Sequence, residues 1–144
     1  MTKPFSYRVL KYRPSYLLDE RINLGLLFSF PAEEKLIFLA PENLERVIQF
    51  YPDANLSFLK RYLDGFKAKA NQLSTQNLFK NHQELVQNFI PIDANSFFFS
   101  ESKNGQYTDL EDIIRYYNKL YFDVYNIQKG KKEVKDQLIE IKNY

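Results

Sequence analysis

The sequence predicts an α+β fold, an antiparallel sheet of about four strands with helices packed on one face, and three observations predict it. Residues 21–30 alternate, with Ile22, Leu24, Leu26, Phe28 and Phe30 on one parity and Arg21, Asn23, Gly25, Leu27 and Ser29 on the other. That is the period of a strand with one buried face. Farther on, Leu110, Ile113, Ile114, Tyr117, Leu120, Tyr121 and Val124 recur at helical spacing and mark a helix with one apolar stripe. Finally, a chain of 144 residues with 44% apolar content can bury a single core without disulfide or metal staples.

The elements follow in chain order. Residues 5–12 (FSYRVLKY) are rich in aromatic and β-branched side chains and end at Arg13-Pro14, which reads as a first strand. Residues 21–30 and 35–40, separated by Pro31-Ala32-Glu33-Glu34, read as a hairpin that completes a three-stranded antiparallel meander. Pro41 suits the first position of a short helix carrying Leu44, Val47, Ile48 and Tyr51, which Pro52 stops. Asp53 or Asn55 can cap a second helix, whose stripe is Leu56, Leu59, Leu63 and Phe66 and which is expected to fray near Asn71. Residues 74–90 are polar with sparse apolar anchors and read as a loop plus a short helix stopped at Pro91. Residues 96–102 add a fourth strand, with Asn104-Gly105 as turn chemistry behind it. Thr108 and Glu111 then make a capping box for the long helix, with Asp109 and Asp112 favouring the positive end of its dipole. One domain over 1–126 is expected, followed by a Lys-rich segment and a weak helix over 127–144.

Composition excludes much. There are no cysteines, so thiol catalysis, iron–sulfur clusters, thiolate zinc sites and disulfides are out, and a reducing compartment fits. The single histidine, His82, rules out a pair of histidine ligands and an HExxH box within the chain. His82 lies between Asn81 and Gln83 and reads as a surface residue. A formal net charge of +2 provides no global field for nucleic acid. No signal peptide or membrane-length apolar run is visible, so a cytoplasmic protein without membrane contact is expected.

Two constellations suggest chemistry. Glu20, Asn23 and Gly25, beside Lys11 and Arg13 from the neighbouring strand, can form a polar notch able to grip a carboxylate or phosphate. Strand parity places Arg8 on the face opposite Lys11 and Arg13. The plainer reading gives Glu20 and Asn23 a role in satisfying backbone groups and Gly25 one in close packing. Asp53, Glu101 and Lys103 superficially match the carboxylate–carboxylate–lysine set of divalent-metal nucleases, but Asp53 falls in a turn between helices. Lys129, Lys131, Lys132 and Lys135 near Tyr125 are a candidate basic–aromatic patch; a solvated charge run is the commoner meaning of such a segment. Tyr116, Tyr117, Tyr121 and Tyr125 form a tyrosine series on the last strong helix. Any that stay exposed favour a protein interface.

The run Tyr7-Arg8-Val9-Leu10-Lys11-Tyr12-Arg13-Pro14, followed by Glu20-Arg21-Ile22-Asn23-Leu24-Gly25-Leu26-Leu27-Phe28, resembles the opening of a small bacterial family, domain of unknown function 3037. Phe99-Ser100-Glu101-Ser102, Gly105 and Thr108-Asp109-Leu110-Glu111 are similar to that family's closing motif. The two blocks span about residues 5–126. The resemblance implies no established activity; it implies company, because such proteins look like gene neighbours of HipA-like kinases. The expectation is therefore a non-enzymatic interaction or accessory module that takes no cofactor or metal and binds a protein partner, a HipA-like kinase being the first candidate. Its expected binding residues are Lys11, Arg13, Glu20, Asn23, Gly25, Glu101 and Tyr116. The alternative is a metal-dependent nuclease or nucleic-acid-binding protein that uses acidic and lysine residues.

Overall fold

The computed structural model describes residues 1–13, 21–75 and 97–123. Within them the fold is α+β, as expected, built on an antiparallel sheet. Strand β1 (Lys3–Tyr12) pairs with β2 (Ile22–Phe30), and β2 pairs with β3 (Lys35–Leu39). A 3-10 turn at Pro31–Glu33 joins β2 to β3 and ends on Glu34 in the left-handed region, φ 51° and ψ 47°. The meander read from the sequence is thus present, with strand ends within about two residues of those expected.

The other side of β1 is shared by two short strands. β4 (Phe97–Phe99) pairs with Leu10–Tyr12, and β5 (Lys103–Tyr107) pairs with Lys3–Tyr7. Between them Ser100 bridges the gap: its backbone N–H donates to the Val9 carbonyl at 2.8 Å and its Oγ accepts from the Val9 N–H at 2.9 Å. Asn104-Gly105, expected as a turn, therefore lies inside a fifth strand. Gly105 sits opposite Phe5, and a Cβ there would come 2.6 Å from the Phe5 ring. The glycine is a packing device here, not a turn signal.

The helices divide between the two faces of the sheet, whereas the sequence suggested one covered face. Residues opposed across an antiparallel pair point to the same side. Tyr7 opposes Phe28, and on that side Tyr117 of helix α3 (Leu110–Phe122) packs on Phe5, Tyr7 and Phe28, with ring centroids 4.9–5.8 Å apart. Leu27 opposes Phe38, and Tyr12 opposes Phe97. There Phe66 of helix α2 (Leu56–Thr75) meets Phe38 at 5.5 Å. Tyr51, which ends helix α1 (Glu45–Phe50), meets Tyr12 at 6.3 Å. The physical reason lies in β2, where every residue from Leu24 to Phe30 is buried. Only Ser29 on its second parity is polar within that stretch, so the second face also needs a cover.

Helix ends follow local chemistry. α1 starts at Glu45, past Pro41, because Asn43 Oδ1 accepts the Glu45 N–H at 2.9 Å. Asn55 caps α2 by accepting from the Phe58 N–H at 3.0 Å. α2 continues beyond Asn71 to Thr75. Its late turn is tied to edge strand β3, where Ser74 Oγ accepts from the Leu36 N–H at 2.8 Å and lies 3.1 Å from the Leu36 carbonyl. α3 is capped one residue later than the Thr108–Glu111 pattern suggests: Asp109 Oδ2 accepts from the Asp112 N–H at 2.9 Å. The short helix expected before Pro91, His82, and the 127–144 segment lie outside the described residues.

Candidate functional site

A β-bulge builds the polar end of the sheet. Leu10 opposes Gly25, yet Lys11 opposes Asn23, so Leu24 is an extra residue on β2. Leu24 is fully buried, and its insertion brings Asn23 to the same side as Lys11. Lys11 Nζ and Asn23 Oδ1 lie 3.4 Å apart, the long end of hydrogen-bond distance. From the other side of β1, Phe98 opposes Lys11, and its ring gathers two more cations. The guanidinium carbons of Arg13 and Arg21 lie 5.4 and 5.2 Å from its centroid, within cation–π range.

The structure thus brings together Lys11, Arg13 and Asn23 of the residues singled out by sequence, and adds Arg21 and Phe98. Both additions had a signal. Arg21 immediately precedes a strand, and the middle residue of Phe97-Phe98-Phe99 must face away from its neighbours. Arg8 points to the other face, as parity implies, and its Nη1 donates to the Ser100 carbonyl at 3.2 Å. Gly25 also lies on that face, opposite Leu10, with its bare Cα covered by the Phe38 ring. Glu101 is exposed in the corner between β4 and β5. Glu20 lies outside the described residues.

Asp53, Glu101 and Lys103 sit in three different settings. Asp53 is in the turn between α1 and α2, Glu101 in the β4–β5 corner, and Lys103 in β5 opposite Tyr7. Among the described residues no group of three His, Asp or Glu side chains is placed to hold a metal ion, and no helix is long and apolar enough to cross a membrane.

Helix α3 divides the tyrosine series by its two sides. Tyr117 and Tyr121 face the sheet, where Tyr7 and Tyr121 hydroxyls meet at 3.2 Å. Burial, reinforced by the hydrogen bond to Tyr121, raises the Tyr7 hydroxyl well above its ordinary pKa, and burial likewise raises Tyr117. These groups stay neutral at ordinary pH and belong to the core. Tyr116 points outward and is 58% exposed; Leu120, one turn on, is 60% exposed. On the flank of the same helix a groove of about 740 Å³ runs to the β3 side, floored by Ile37, Leu39, Leu110 and Ile114 and rimmed by Glu111 and Arg115.

The family model described as a protein of unknown function (DUF3037) matches residues 7–120. No curated protein and no solved structure matches the chain. The match runs from Tyr7 in β1 to Leu120 in α3 and so takes in the whole described sheet except its first residues, together with the polar end at Lys11 and Asn23, and on this basis the chain belongs to the DUF3037 family.

Proposed function

We propose that this domain is a bacterial accessory module that works by binding another protein and performs no chemistry of its own. The observation that carries the reading is the outward pair on α3: Tyr116 and Leu120, one helical turn apart, are each more than half exposed on an element whose other side is packed into the core. Large apolar side chains paired in this way are unfavourable in water and suit a partner's surface, where tyrosine is enriched. Arg115 and Asp112, joined at 2.8 Å and both well exposed, supply the polar rim that such an interface needs. The company implied by the family resemblance makes a HipA-like kinase encoded beside the gene the partner to test first.

The test is co-elution of the full chain with that kinase in size-exclusion chromatography. A stoichiometric complex is expected, lost in Tyr116→Ala combined with Leu120→Ser while the melting temperature of the free chain stays within a few degrees. Both side chains are surface-exposed, so the substitutions leave the core intact. Separate elution of the unaltered chain and kinase overturns this choice of partner, and a complex indifferent to the double substitution overturns this choice of surface.

A further inference from the structure

The two sides of the sheet end differently. At β3, Ser74 Oγ takes the outward N–H of Leu36 at 2.8 Å. On the opposite side β5 pairs with β1 alone among the described strands. Which groups of β5 look outward follows from β1. Val9 turns both its backbone groups toward the β4–β5 side, since its N–H donates to Ser100 Oγ and its carbonyl accepts from the Ser100 N–H. Backbone groups alternate along an antiparallel strand, so Tyr7, Phe5 and Lys3 turn the same way, toward Lys103, Gly105 and Tyr107 opposite them. Pro4, which has no N–H to give, stands opposite Gln106. The N–H and carbonyl of Asn104 and of Gln106 therefore point away from β1. Both residues are exposed, and no proline interrupts the strand. Such an edge is a template for a further strand.

We propose that β5 pairs antiparallel with β5 of a second copy of this chain, about a two-fold axis through Gly105, which joins two sheets into one. An isologous contact must be complementary to itself, and this strand is. The axis through Gly105 is the one that overlaps all five residues, Lys103–Tyr107, of both copies. It sets Asn104 of each copy against Gln106 of the other, so outward groups meet outward groups in two hydrogen-bonded pairs, and a carboxamide faces a carboxamide in each. Lys103, the only charge in the strand, then faces Tyr107 of the other copy and lies one diagonal step from Asp109, at the acidic start of α3. The two Lys103 residues stand about 14 Å apart along the strands. The outward pair on α3 is not what joins the copies. Tyr117 seats α3 over Phe5, Tyr7 and Phe28, on β1 and β2. With strands about 4.8 Å apart, the two α3 axes lie about 14 Å or more from each other, beyond the spacing of packed helices. Tyr116 and Leu120 thus remain open to the partner proposed above, and the pairing of copies does not rest on that reading.

The experiment is sedimentation of the pure full chain over a concentration series reaching about 1 mM. A monomer–dimer equilibrium is expected within that range, because two five-residue strands make an interface at the small end of the scale. Gln106→Pro and Asn104→Pro each remove one outward N–H and leave the ladder to β1 intact, so either should weaken the dimer about tenfold or more at a nearly unchanged melting temperature. Each variant stands in for the other should one fail to fold. The chain has no cysteine, so the register can be read by oxidation: Asn104→Cys mixed with Gln106→Cys should form a crossed disulfide dimer faster than either forms one with itself. A chain that stays monomeric throughout overturns the proposal. So does a dimer that both proline variants leave undiminished, one lost in Tyr116→Ala with Leu120→Ser, or cysteine variants that couple at equal rates in all combinations.

Discussion

Phe38 of β3 lies directly over the bare Cα of Gly25 in β2. A Cβ built on Gly25 would come 2.8 Å from Phe38 Cε1 and 3.2 Å from the Leu39 carbonyl oxygen. Phe38 has no room to retreat, being 3% exposed with Phe66 of α2 behind it. Gly25 does not have a positive φ, so the requirement is one of space and not of backbone conformation.

The first prediction follows from that contact. Gly25→Ala should lower stability by about 1–3 kcal/mol through overpacking, read as a lower urea midpoint with an unchanged slope. Phe38→Leu, which shortens the intruding group, should be less damaging in the Gly25→Ala background than alone, because neighbours in contact are not additive. Additive effects of the two substitutions would show that the ring is not what excludes the Cβ.

The same glycine shows how far the sequence could be read. Strands and helices were legible because Ile22 to Phe30 and Leu110 to Tyr121 carry strong periodicity, and the close approach at Gly25 was legible because glycine weakens a strand without such a reason. What occupied the space was not, since Phe38 meets Gly25 through pairing of separate segments. Asn104-Gly105 was misleading for a related reason: turn chemistry and a packing glycine look alike until Phe5 is placed opposite. The second covered face was hidden because Leu27, the one large apolar residue on that parity from Arg21 to Ser29, understates how much packs there. At the candidate site Lys11, Arg13 and Asn23 were visible as residues. Their convergence depends on a bulge at Leu24, and one inserted position leaves no mark in an apolar run.

A second prediction concerns the β2–β3 turn. Glu34 holds φ 51° and is exposed, a conformation in which any side chain with a Cβ is disfavoured. Glu34→Gly should raise stability by about 0.5–1 kcal/mol, measured as a higher melting temperature, and Glu34→Val should lower it. A Glu34→Gly protein that melts lower would mean that the side chain contributes something beyond the turn.

A third prediction concerns the sheet edge. Ser74 occupies the outward N–H of Leu36 at 2.8 Å and approaches its carbonyl at 3.1 Å, doing for β3 what a further strand would do. Ser74→Ala should therefore cost about 1–2 kcal/mol. It should also accelerate hydrogen exchange at the Leu36 amide more than at Leu39, which pairs with Leu26 inside the sheet. Equal protection of Leu36 in both proteins would show that α2 shields this edge by burial alone.

The last prediction is a pH dependence centred on Tyr107. Its hydroxyl donates to Glu33 Oε2 at 2.8 Å, and Lys3 Nζ approaches the same carboxylate oxygen at 3.8 Å while lying 5.6 Å from the tyrosine ring centroid. Burial first, and then the bond to the Glu33 carboxylate, push the Tyr107 pKa from 10.0 up to about 12. The folded protein thus keeps this proton at pH values where the unfolded chain has released it. Above the unfolded pKa the unfolded state binds fewer protons, so stability falls as pH rises. The contribution of Tyr107 is present in full below about pH 10 and lost on the way through about pH 12. Removing the hydroxyl in Tyr107→Phe should cost on the order of 1–3 kcal/mol at neutral pH. The gap to the unaltered protein should narrow across that alkaline window, because the variant has no proton there to lose. Lys3 is half-exposed, so its pairing with Glu33 contributes little, and Lys3→Gln should leave the window in place. Urea unfolding in steps from neutral to strongly alkaline pH reads all three curves. A gap between the unaltered protein and Tyr107→Phe that stays constant would place the alkaline loss elsewhere, with Tyr7 and its bond to Tyr121 the next group to substitute.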